Sequence, residues 1–102
     1  MTTNDLFNQI KAKHSFLCVG LDVDIDLFPA QIRDQPDKIF NFSKSIIDAT
    51  AQHCVAFKLN IAFFEAYGTE GWKSLEKVMD YLNNYYPEIF TIADAKRADI
   101  GN

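Results

Sequence analysis

The chain has 102 residues, 48% of them hydrophobic and 24% charged, which makes it globular material of one-domain size able to bury a modest core. Its formal charge of −4 excludes the basic field that gathers nucleic acid or an anionic membrane, so small molecules or protein are the expected partners. No apolar run approaches the roughly 20 residues that span a bilayer, and the N-terminal residues lack the apolar stretch of a signal peptide, so a cytoplasmic location is expected.

In chain order, Thr3 or Asn4 is positioned to cap a short leading helix that carries Leu6 and Ile10 and ends before His14. Residues 15 to 21 (SFLCVGL) are a continuous apolar run of strand length, the pattern of a strand buried in a parallel sheet. A polar loop with two prolines follows, and then Ile39, Phe42, Ile46 and Ile47 recur at helical spacing, with Pro36 suited to a first turn. Residues 54 to 59 (CVAFKL) form a second strand-like run, and IAFFEAYG after it predicts a one- or two-turn helix closed by Gly68. Thr69 can cap the next helix, on which Trp72, Leu75, Val78, Met79, Leu82 and Tyr85 share a face before Pro87 stops it. A third apolar run, EIFTIAD, comes last. Strands alternate with helices and the connections are too long for hairpins, so parallel βαβ units are expected. Cys18 and Cys54 both lie in apolar runs, where a thiol packs as a small hydrophobe. With no metal-ligand spacing of Cys or His, neither a metal nor a disulfide is expected.

Asp22, Lys58 and Asp94 recur at intervals of 36 residues, which predicts three equivalent units with a charged residue at the same phase. Side chains alternate across a strand, so the even positions share one face. On that face each run starts apolar or small and ends ionisable, at Asp22, at Lys58, and at Asp94 with Lys96. The odd positions Leu17, Val19, Leu21, Val55, Phe57 and Leu59 are apolar and would face helices. Carboxyl ends of parallel strands are where active sites form, so these four groups are expected to converge on one mouth. Their alternating signs would offset the cost of burying charge; a purely structural ion-pair network is the competing reading. Asp24, Asp26 and Glu70 show no such registration and are expected to be solvated.

The segment DAKRADIGN, through Asp94, Lys96, Asp99 and Ile100, resembles the Asp-x-Lys-x-x-Asp-Ile signature of orotidine 5'-phosphate decarboxylases. GLD at 20 to 22 and FKLN at 57 to 60 resemble that family's first and second strand ends, and IAFFEAYG is similar to its longer-chain bacterial branch. The resemblance implies an α/β fold, the N-terminal part of a (β/α)8 barrel, with residues 1 to 102 as one segment of a single domain. It implies cofactor-free decarboxylation of orotidine 5'-monophosphate, with Lys96 stabilising and protonating the C6 carbanion. Asp94 would lie against the substrate carboxylate, Lys58 would hold Asp94 and touch the ribose, and Asp22 would bind the nucleoside. Asp99 and Ile100 would cross a homodimer interface.

A full barrel takes about 250 residues, with phosphate sites in its later loops, so a fragment, inactive alone, is expected. Two other readings stay open: a magnesium-dependent sugar-phosphate decarboxylase or hexulose-phosphate synthase sharing the same frame, and a non-catalytic folding or dimerisation piece.

Overall fold

The computed structural model describes residues 2–94. Helix α1 (Thr3–Lys13) leads into strand β1 (Cys18–Leu21), a 3-10 turn (Ile25–Leu27), α2 (Ala30–Arg33) and α3 (Lys38–Thr50). Strand β2 (Ala56–Asn60), α4 (Ile61–Glu65), α5 (Gly68–Tyr85) and β3 (Phe90–Asp94) follow. The strands are parallel in the order β1-β2-β3. Sequential parallel strands joined through helices are the expected geometry of βαβ crossovers.

The odd face of the sheet carries the core. Leu21, Val23, Phe57 and Leu59 are buried together with Ile39 and Ile47 of α3, Phe64 of α4, and Leu75, Val78 and Leu82 of α5. Burying side chains of this size contributes about 1.5–3 kcal/mol each, which makes this layer the main source of cohesion. The opposite face bears no such layer among the described residues. Cys18, expected in the core, is therefore exposed, while Cys54 is buried and its thiol pKa is raised, chiefly by desolvation.

Several local expectations shift once the ends of the elements are set by hydrogen bonds. The cap of α1 is Thr2, because Asp5 sits three residues on and its carboxylate returns the bond to the Thr2 amide. Helix α1 buries no residue of its own; Lys13 anchors it by donating to the carbonyls of Ala51 at 2.9 Å and Cys54 at 2.8 Å. The expected loop after β1 holds the 3-10 turn and α2, and its Phe28 is buried with the ring stacked on Phe42 at 4.3 Å. Pro36 precedes α3, whose N-cap is Asp37 in a left-handed conformation.

Gly68 does not close α4 but opens α5, with φ +62 that a side chain would resist, so Thr69 lies inside that helix. The buried stripe of α5 is Gly71, Ser74, Leu75, Val78 and Leu82, and Trp72, Met79 and Tyr85 of the expected face are exposed. A helix packed on a sheet buries a narrower arc than its apolar residues span, and here the close approach at Gly71 selects it.

Candidate active site at the strand ends

Asp22 follows β1 directly, between Leu21 and Val23, which are both buried. Alternation therefore turns the Asp22 carboxylate to the other side of the sheet, where it is exposed. The chain leaves by a tight turn in which the Asp24 amide donates to the Asp22 carbonyl at 3.1 Å. Beyond it the Ile25 amide donates to the Tyr67 hydroxyl at 2.9 Å, tying this loop to the entry of α5. Lys58 is flanked by Phe57 and Leu59, each fully buried, and its own side chain is half-buried on the even face. Asp94 ends β3 and is likewise half-buried.

The strand register sets these groups in levels. Cys18, Ala56 and Phe90 stand side by side, and Gly20, Lys58 and Ile92 form the next level. Asn60 is paired with Asp94 above them, and one step past Leu21, itself paired with Leu59, is Asp22. The even face thus passes from apolar side chains at the amino ends to polar and charged ones at the carboxyl ends, the polarity of a barrel interior that opens on a site.

The interval of 36 residues does not survive as a structural level. Cys18 is opposite Ala56, an offset of 38, and Ala56 is opposite Phe90, an offset of 34. The offsets are even, so the face is kept; they are unequal, so Lys58 lies one level below Asp22 and Asp94. The residue level with both carboxylates is Asn60, whose side-chain amide donates to Asp22 Oδ1. Asn60 carries no charge and so stands outside the series of ionisable residues, although it closes the FKLN segment on the same parity as Lys58.

Lys96, Asp99 and Ile100, the remaining expected site residues, lie outside the described residues. Of the charges expected to be solvated, Asp24 accepts from the Asp26 amide and caps the 3-10 turn, and Glu70 stands 3.9 Å from Lys38. Among the described residues no group of three or more His, Cys, Asp or Glu is arranged to hold a metal ion. None of the described helices is long and apolar enough to cross a membrane. A cavity of about 460 Å³ runs along α5 past Trp72 and Met79, and no strand residue lines it.

Residues 15–102 match the family described as orotidine 5'-phosphate decarboxylase / HUMPS. Over all 102 residues the chain is 57% identical to an orotidine 5'-phosphate decarboxylase of Christiangramia forsetii and 59% identical to one of Flavobacterium johnsoniae. It spans 38% and 37% of the length of those curated relatives. Among solved structures, OMP decarboxylase of Leishmania donovani is similar with a TM-score of 0.68 at 34% identity, over 95% of this chain and 34% of that one. Orotidine 5'-monophosphate decarboxylase of Plasmodium berghei is similar with a TM-score of 0.72 at 27% identity, over 97% of this chain and 45% of that one.

Proposed function

The chain belongs to the orotidine 5'-phosphate decarboxylase / HUMPS family, and on that premise we propose that it is part of a cytoplasmic enzyme converting orotidine 5'-monophosphate to uridine 5'-monophosphate. The observation that carries this reading is the common face of Asp22, Lys58 and Asp94 on three adjacent parallel strands, with the two carboxylates at the carboxyl ends and Lys58 one level below them. Residues gathered there from separate strands can surround one small molecule.

The reaction breaks the bond between C6 of the pyrimidine and its carboxylate, leaves the electron pair on C6, and releases carbon dioxide. No cofactor delocalises that pair, so the protein must stabilise it electrostatically. Lys96 is assigned this role: its ammonium faces the developing carbanion and then donates the proton that completes the product. The lysine amine regains its proton from solvent. Asp94, two residues earlier on the same parity, lies against the substrate carboxylate, and their repulsion is relieved as carbon dioxide leaves. Lys58 offsets the charge of Asp94 and reaches the ribose, and Asp22 accepts from the nucleoside. Asp99 and Ile100 act across a homodimer interface, in the site of the partner.

The magnesium-dependent sugar-phosphate reading belongs to the same family, but relatives matching the whole chain at 57% and 59% identity carry the decarboxylase name. The deciding experiment measures carbon dioxide release from orotidine 5'-monophosphate by a full-length protein carrying this segment, with and without Lys96→Ala. Because Lys96 acts on charge that appears in the transition state, kcat should fall by roughly a thousandfold or more while nucleotide binding weakens much less. Near-normal turnover by the variant would remove the assignment.

A further inference from the structure

We infer that Asn60 is a positioning residue for Asp22, fixing the carboxylate that meets the ribose hydroxyls; this rests on the functional reading above. Asn60 occupies the N-cap of α4, a place where asparagine ordinarily turns its side chain onto the first amides of its own helix. Here it makes no such cap bond, and its amide reaches across to β1 and donates to Asp22 Oδ1. The cap interaction is given up for a contact between strands.

That contact constrains a group which little else holds. Asp22 sits in an exposed segment just past β1, and among the described residues its second oxygen, Oδ2, has no hydrogen-bond partner. With Oδ1 held, Oδ2 remains an acceptor of fixed direction, suited to a hydroxyl donor such as those of a ribose. Asn60 has the right chemistry for the task. It is paired with Asp94 on one side and bonded to Asp22 on the other, so a carboxylate at its position would add like-charge repulsion, whereas an amide supplies a donor without adding charge.

The test is a double-mutant cycle in a full-length enzyme carrying this segment, with KM and kcat for orotidine 5'-monophosphate and the thermal midpoint measured for each variant. Hydrogen bonds to charged groups are strong enough that Asn60→Ala should raise KM about tenfold while changing kcat less than about threefold. In an Asp22→Ala background the same substitution should change KM less than about twofold, since the group it positions is gone. Asn60→Ser, which keeps a residue favoured at N-caps, carries the same comparison if Asn60→Ala does not fold. Fully additive effects on KM, or a loss of kcat at unchanged KM, would overturn the inference while leaving the functional reading intact. An unsubstituted enzyme that releases no carbon dioxide would overturn both.

Discussion

A Cβ built on Gly71 would stand 1.7 Å from the carbonyl oxygen of Phe64, so α4 and α5 meet there through bare backbone. Phe64 is fully buried, and an intervening methyl cannot be accommodated by turning a side chain. Gly71→Ala should therefore force the two helices apart and destabilise the protein by about 1–3 kcal/mol or more, although alanine is the better helix former. A thermal midpoint equal to that of the unsubstituted full-length protein would contradict this packing.

Lys13 links the N-terminal helix to the rest of the fold through the Ala51 and Cys54 carbonyls. Helix α1 has no buried residue, so these two bonds tie it to the α3–β2 connection where apolar packing is weak. Lys13→Met keeps the aliphatic stem and removes both bonds, and should cost about 1.5–3 kcal/mol. Hydrogen exchange should quicken first in residues 3–13; unchanged protection there would count against the tie.

Asp48 of α3 accepts from the hydroxyls of Tyr81 and Tyr86 and from Lys44. Burial alone would raise the Asp48 pKa, but the three donors outweigh it and hold the carboxyl below its ordinary 3.8. Tyr81 moves the other way, raised above the phenol range by desolvation and then by its bond to Asp48. A depressed acid contributes stability above its unfolded pKa and loses it as pH falls through the lower folded value. A raised phenol contributes below its unfolded pKa, near 10, and loses it as pH rises through the higher folded value. The α3–α5 tie should thus be intact between about pH 4 and pH 10 and fade outside that window. Asp48→Asn should flatten the acid limb of stability and bring the ultraviolet titration of Tyr81, taken as the difference from Tyr81→Phe, back toward an ordinary phenol. An unchanged Tyr81 titration would refute the coupling.

Activity of a full-length enzyme carrying this segment should be unaffected by EDTA, because the proposed chemistry uses an ammonium and carboxylates. Loss of activity on chelation, restored by magnesium, would instead support the sugar-phosphate branch of the family.

The three apolar runs and the helical stripes between them determined the parallel order of strands and the sidedness of the sheet. Period-two alternation assigns each residue of a strand to one of the two faces by its parity, so the shared face of Asp22, Lys58 and Asp94 was legible from parity alone. Level along the strands was not. Register depends on how the crossovers α3 and α4–α5 pack, and their offsets of 38 and 34 preserve the face while lowering Lys58 and raising Asn60 to meet the carboxylates. Nor could the chain alone choose which apolar residues of α5 are buried. A backbone contact at Gly71, made across a turn, rotates Leu75, Val78 and Leu82 inward and leaves Trp72 and Met79 outside, a choice that only packing in three dimensions makes.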